Sequence, residues 1–184
     1  MSSNLGFYVE LTLAKELSHP FSLTHAMVCA AHLHHYRREG QVAQEWAEAT
    51  ITLASDQGFP FYSAMGTVFR GWALAQQGRA EEGTTQIHQG LVAFRATGAE
   101  MYRPYFLVLL AESYGERGQA EDELSVLAEA LDLVQKTGER RWAVEAYRLK
   151  GTLTLQKFQV LSSKFQVQES PKSEVRSQRL KDVF

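Results

Sequence analysis

The sequence predicts an all-α fold, a right-handed stack of antiparallel helical hairpins that repeats about every 40 residues. Three observations predict it: residue types recur at a spacing of 40, apolar positions follow helical periodicity, and glycines fall where helices should end. The recurring residues are Leu11, Ile51, Leu91 and Leu131; Ser18, Gly58, Gly98 and Gly138; and Ala31, Gly71, Ala111 and Gly151. Such a length holds two helices of about 17 residues and two short turns.

Two parts of the chain are predicted, a helical repeat domain over residues 1–155 and a polar tail over residues 156–184. Residues 1–19 read as the second helix of a hairpin whose first helix is missing. Three complete hairpins and an unpaired first helix are predicted to follow, over residues 20–58, 60–98, 100–138 and 139–155.

Turn-forming residues set the predicted ends of these helices. Pro20 and Pro60 suit the first position of a helix, where the missing N–H costs nothing. The first hairpin is predicted to turn near Glu39 and Gly40, and the third at Gly118. Acidic residues then open the second helix of the third hairpin, where negative charge suits the helix dipole. They are Glu121, Asp122 and Glu123.

The segment from Arg70 to Gly98 is the clearest copy of the hairpin. Gly78 and Gly98 are predicted to end its two helices. The glycines within the helices have another predicted task, since a missing side chain allows two helices to approach closely. These are Gly71, Gly83 and Gly90.

The tail contains a direct duplication, KFQVLSS followed by KFQVQES, over residues 157–170. After Pro171 the residues are polar and of mixed charge, a composition typical of poorly ordered or loosely docked segments.

Composition excludes several classes of partner. Residues 1–155 hold 13 Lys and Arg against 18 Asp and Glu, a net charge of −5, which argues against binding a nucleic-acid backbone. No apolar run approaches the roughly 20 residues that cross a bilayer, and the N-terminus lacks the pattern of a signal peptide. The sequence therefore predicts a cytoplasmic protein that binds neither nucleic acid nor membrane.

The repeat resembles tetratricopeptide repeats over about residues 1–155. One repeat carries the matching residues Gly71, Gly78, Gly83, Ile87 and Gly90, and the next carries Ala111, Tyr114, Gly118, Leu127 and Ala130. The sequence departs from the family at the tryptophan usual early in the first helix, which is replaced by Met27, Thr67, Leu107 and Tyr147. The period of 40 also exceeds the family's 34, which implies longer helices.

A narrower resemblance concerns sequence segments such as FRGWALAQQGRAEEG and ALDLVQKTGERRWAVEAYRLKG. These segments are similar to the C-terminal repeat region of bacterial signalling proteins that also carry an adenylate or guanylate cyclase domain and an AAA-type ATPase domain. The chain has no G-x-x-x-x-G-K-[ST] phosphate loop, so nucleotide hydrolysis does not carry over. The resemblance implies a regulatory sensor or protein-interaction module.

Tetratricopeptide arrays line their concave face with first helices, and the resemblance thus implies which residues contact a peptide or protein partner. The predicted contact residues, spaced along the period, are His32, Trp72 and Glu112; Tyr36, Gln76 and Glu116; and Arg148. The competing interpretation is that Trp72 and Tyr36 pack between hairpins. A second functional hypothesis is a homo-oligomer, assembled through apolar faces of the unpaired helices at the two ends.

Catalysis and metal binding are not predicted. His25, His32 and His35 fall on one helix, but no carboxylate or thiol follows at convincing ligand spacing, so no metal or other cofactor is expected. Cys29 is predicted to be buried, the alternative being a nucleophile paired with His25 or His32. No carboxylate pair shows the marks of a general acid and base.

Overall fold

The computed structural model describes residues 12–138, 140–155 and 159. Every regular element in these residues is a helix, which confirms the all-α prediction. Residues 12–16 and 143–155 are helical, and Arg140–Trp142 forms a 3-10 turn. The α-helices with defined ends are α1 (Pro20–Tyr36), α2 (Gly40–Gln57), α3 (Pro60–Gln76), α4 (Ala80–Ala96), α5 (Arg103–Glu116) and α6 (Ala120–Thr137).

Left-handed backbone conformations recur every 20 residues in the described chain. Five glycines have φ between 69° and 83°, while Ser18 and Arg38 have φ of 48° and 58°. The glycines are Gly58, Gly78, Gly98, Gly118 and Gly138. A residue in this conformation ends an α-helix by turning the chain, and glycine does so without a steric cost. The predicted helix ends at Gly58, Gly78, Gly98, Gly118 and Gly138 are confirmed.

The helices begin where predicted, except at the turn that joins the two helices of the first hairpin. Pro20 and Pro60 open α1 and α3, and Pro104 lies in the first turn of α5. The predicted turn near Glu39 and Gly40 lies slightly earlier, because the left-handed residue is Arg38 and α2 already begins at Gly40. A Cβ on Gly40 would meet its nearest neighbour, Cβ of Gln76, at an ordinary contact distance of 3.4 Å, so this position has room for a side chain.

Helix α3 lies at the centre of the described helices. It contacts α1, α2, α4 and α5, and eleven of its 17 residues are buried. The other contacts between helices join neighbours along the chain, so each helix packs against the next, and α1, α3 and α5 form a further series. The largest fully buried side chains include Trp72, Phe69, Phe94 and Phe106.

Close packing between α3 and α4 depends on the predicted glycines. A Cβ on Gly71 would lie 2.7 Å from the carbonyl oxygen of Gly83, and one on Gly83 would lie 2.5 Å from the carbonyl oxygen of Gly71. Gly90 is equally confined, since its Cβ would lie 2.9 Å from the backbone nitrogen of Val68. Because most of these neighbours are backbone atoms, no rotamer change relieves the overlap.

The described residues divide into two compact units, one that ends at residue 146 and one that begins at residue 147. The predicted domain boundary at residue 155 stays a prediction. The unpaired helix predicted over 1–19 is described only at residues 12–16, and the predicted tail over 156–184, with its duplication, lies outside the described residues except for residue 159. The unpaired first helix predicted over 139–155 corresponds to the 3-10 turn and the helical residues 143–155.

We expect Gly71→Ala to lower the free energy of unfolding by about 1–3 kcal/mol, because the new methyl group overlaps backbone atoms of α4. Chemical denaturation followed by circular dichroism measures this. Gly151→Ala is the matched control, since Gly151 is helical and a Cβ there meets nothing within 4 Å. The control should be neutral or slightly stabilising. Equal stability of the two variants would contradict the packing role of Gly71.

Candidate functional site

An aromatic cluster joins α1, α3 and α5 to the 3-10 turn. The Tyr105 ring stacks on Trp142 with centroids 4.2 Å apart, and His32 stacks on Tyr36 at 4.7 Å. His32 and Tyr105 lie 5.0 Å apart and thereby join the two pairs. Beneath them, the His35 ring meets Trp72 edge to face at 4.4 Å. Helices α1 and α5 meet here through side chains alone, because no Cα atom of α1 lies close to a Cα atom of α5.

A cavity of about 300 Å³ opens beside this cluster. Its walls combine aromatic and aliphatic side chains with four charged ones, two positive and two negative. The aromatic residues are His35, Tyr36, Tyr105 and Trp142. The charged residues are Arg38, Arg141, Glu112 and Glu145. An aromatic cavity with a few polar groups is the usual form of a small ligand-binding pocket.

Glu112 is held in place by two donors, one from α3 and one from the turn between α1 and α2. The indole N–H of Trp72 donates to Oε2 at 3.0 Å, and Nη2 of Arg38 donates to Oε1 at 2.6 Å. Arg38 also lies 5.9 Å from the centre of the Trp72 ring. Both carboxylate oxygens are therefore used, and the orientation of the Glu112 side chain in the cavity wall is fixed.

Polar groups line the buried side of the cavity. The Tyr105 hydroxyl hydrogen-bonds to Nδ1 of His35 at 2.8 Å. Burial raises the pKa of Tyr105 well above its usual value, so this phenol stays protonated. Nε2 of His35, a buried atom, has no hydrogen-bond partner among the described residues. These groups add uncharged polar atoms to a cavity wall that already carries four charged side chains.

Burial also keeps the two histidines of the cluster neutral. It lowers the pKa of His32 to about 4, with a smaller effect from the positive charge of Arg141. It lowers the pKa of His35 to about 3, with smaller effects from His32 and Arg38. Near pH 7 both imidazoles act as aromatic packing groups without charge.

The predicted contact residues occupy different environments. Tyr36 and Glu112 line the cavity, and His32 stacks behind Tyr36. Gln76 donates to Glu116 at 3.5 Å beside the cavity, just as Trp72 contacts Glu112, in each case across one period of 40 residues. Arg148 is an exposed residue of the second compact unit.

Trp72 requires a correction. Its side chain is fully buried and its one polar atom is bonded to Glu112, so its surface is not available to a partner. The competing interpretation, packing between hairpins, describes its position. Trp72 supports the site indirectly, by orienting Glu112.

Sequence reasoning missed most of the cavity, since only Tyr36 and Glu112 of its eleven lining residues were predicted. Arg38, Tyr105, Arg141 and Trp142 were not among the predicted contact residues. Tyr105 lies seven positions before Glu112, and Arg141 lies seven positions before Arg148. The available signal was an aromatic residue in each of α1, α5 and the 3-10 turn. The sequence does not show how each helix is rotated about its axis, so it does not reveal that these rings meet.

Other titratable groups were also compared with prediction. No group of three or more His, Cys, Asp or Glu side chains converges on a metal position within the described ranges. Cys29 is only partly buried, and its Sγ lies 3.6 Å from Nε2 of His25. Glu123 opens α6 as predicted, but it is also buried, and burial raises its pKa to about 7, with a smaller effect from Glu112. The sequence pattern gave no sign of this burial.

Comparison with known proteins adds no family to this geometry. No family model and no curated protein sequence matches the chain. In the part of the chain that the structure describes, the helices are too short or too polar to cross a bilayer.

We expect the free energy of unfolding to fall as the pH falls from about 6.5 to about 4, because the unfolded chain protonates His32 and His35 while the folded chain does not. Glu123 opposes this effect, since its raised pKa makes the folded chain take up a proton between about 7 and 4.5. The three groups together leave a net slope of at most about 1.4 kcal/mol per pH unit.

Urea unfolding at a series of pH values measures this slope. Glu123→Gln removes the opposing group and should steepen the loss of stability toward acid pH. His35→Phe removes one of the two histidines and should flatten it. The slope is the informative quantity, because both substitutions also change packing. An unchanged slope in His35→Phe would show that His35 is not held neutral by burial.

Proposed function

We propose that this protein is a non-catalytic interaction module whose helical hairpins form a right-handed, tetratricopeptide-like stack that binds a peptide or protein segment. In this proposal α1, α3 and α5 line the concave face. The side-chain contacts between α1 and α5 support it. Two helices that meet only through side chains across a third helix are expected on the inner side of a curved array.

The cavity beside Tyr36 is the observation that carries the proposal. Tyr36 is 55% exposed although it belongs to an aromatic cluster, and it stands between buried rings and solvent. Aromatic side chains that are held rigidly at an open cavity are the residues that contribute most to the binding of peptides. The fixed carboxylate of Glu112 and the guanidinium of Arg141 supply directional contacts for the polar parts of a bound chain.

The wider context is a regulatory one. The segments FRGWALAQQGRAEEG and ALDLVQKTGERRWAVEAYRLKG resemble repeat regions attached to bacterial cyclase and AAA-type ATPase domains. A module of this origin senses a cytoplasmic partner and passes the bound state to a signalling enzyme. The acidic character of residues 1–155 fits a protein partner better than a nucleic acid.

Peptide display on the intact protein, followed by calorimetry with an enriched peptide, tests the proposal. We expect Tyr36→Ala to weaken binding about tenfold or more, because a rigid exposed ring is removed from the cavity wall. Tyr147→Ala is the matched control, since Tyr147 is 56% exposed and does not line the cavity. Trp72→Ala is unsuitable, because loss of a fully buried tryptophan costs about 3–5 kcal/mol of stability.

Two results would contradict the proposal. One is a selection that enriches no peptide. The other is an enriched peptide whose affinity falls equally in Tyr36→Ala and Tyr147→Ala, which would place the binding surface elsewhere.

A second candidate function is homo-oligomeric assembly through the terminal helices. Large apolar side chains near both ends of the described helices are more than half exposed, which is unusual for packed helices. They include Leu13, Leu17 and Leu155. Faces of this kind are buried when two chains associate.

Sedimentation velocity over a wide range of protein concentration tests this alternative. We expect Leu17→Glu to shift any self-association toward monomer, because a charge replaces an apolar contact. Val92→Glu is the control, since Val92 on α4 is 69% exposed and Leu17 is 67% exposed. A wild-type protein that stays monomeric at every concentration would remove assembly as the function.

A further inference from the structure

One charged group of the cavity is not paired with an opposite charge in the described part of the chain. Arg38 is paired with Glu112, and Glu145 also has an interaction of its own. Arg141, in contrast, has no ion pair within the described ranges, and its guanidinium lies 4.8 Å from the centre of the Trp142 ring. Among the described residues that line the cavity, Arg141 is thus the cation without an opposite charge, and it lies at the aromatic wall.

The positive charge of Arg141 acts on the same rings that line the cavity. It contributes to the lowered pKa of His32, and it opposes the effect of burial on the pKa of Tyr36. Glu145 acts on Tyr36 in the opposite sense and more weakly than Arg141. Near the Tyr36 hydroxyl, the charge of Arg141 therefore outweighs that of Glu145.

The size of the cavity and the side chains that line it indicate which chemical group of a ligand fits inside. A volume of about 300 Å³ is at the lower limit for ligand pockets, enough for one ring system and too small for a folded element. Tyr36 is 55% exposed and offers an aromatic ring surface, with which another aromatic ring packs better than an aliphatic chain of equal area. Arg141 already lies over Trp142, so a cationic side chain would meet a like charge there.

We propose that the cavity binds an aromatic side chain whose neighbouring residue in the peptide is acidic, with the ring against Tyr36 and the carboxylate on Arg141. This rests on the proposed peptide-binding function and names the sequence that the groove prefers. The aromatic ring supplies most of the affinity, because it is the part that leaves water. The ion pair supplies selectivity among peptides that share the ring, since Arg141 is exposed and screened by solvent.

Blocked dipeptides test the inference on the full chain. N-acetylated and C-amidated Trp-Asp, Trp-Asn, Trp-Lys and Leu-Asp differ from one another in charge or in the ring alone. Titrations followed by NMR chemical shifts of the protein give a dissociation constant for each dipeptide. We expect Trp-Asp to bind about two- to fivefold more tightly than Trp-Asn, with Trp-Lys weaker still and Leu-Asp the weakest.

Arg141→Gln identifies the source of the selectivity. This variant should bind Trp-Asp and Trp-Asn equally while its affinity for Trp-Asn stays at the wild-type level. Arg140→Gln is the matched control, because Arg140 is an exposed neighbour that does not line the cavity, and it should keep the preference for Trp-Asp.

The possible results separate this inference from the proposed function. Equal binding of Trp-Asp, Trp-Asn and Trp-Lys would overturn the charge preference and leave peptide binding intact. Tightest binding of Trp-Lys would also overturn it and would make the cavity a site for cations. Binding of Leu-Asp as tight as that of Trp-Asp would overturn the preference for a ring. Peptides that are enriched by display but bind outside the cavity would overturn both proposals.

Discussion

The regular return of a left-handed residue every 20 positions is the constraint on which the rest of this structure depends. It ends each helix after nearly the same number of residues, so that residues 40 apart occupy equivalent positions in successive first helices. Trp72 then meets Glu112, and Gln76 meets Glu116. If one turn were a residue longer, the following helix would be rotated by about 100° and these contacts would be lost.

The glycines within the helices determine how closely those equivalent positions approach. Gly71 and Gly83 bring the backbones of α3 and α4 into direct contact, and this leaves α3 buried among its neighbours. With α3 buried, side chains of α1 and α5 reach one another across it, which places Tyr105 against His35 and Arg38 against Glu112. The cavity lies where these side chains meet.

Sequence reasoning predicted the helices better than the site, for a physical reason. Helix ends depend on local conformation, and Gly58, Gly78 and Gly98 mark them directly in the sequence. Arg38 was missed as a turn residue because a non-glycine adopts the left-handed conformation only at a cost that the surrounding packing must offset. The 40-residue period identified the positions equivalent to Trp72 and Tyr36. It does not determine how each helix is rotated about its axis, which decides the direction of each side chain. Consequently Trp72, expected to contact a partner, is buried, and Trp142 was not anticipated at all.

The locality of the backbone contacts has a consequence for the order of folding. Each described helix contacts only the next helix or the next but one, and the 3-10 turn contacts α5 and α6. Topologies with such short-range contacts fold quickly, because few long loops must close. The side-chain pairs between His35 and Tyr105, and between Arg38 and Glu112, are the exceptions, since they join residues 70 and 74 apart. The helices can therefore form before these pairs do, and the cavity is completed last.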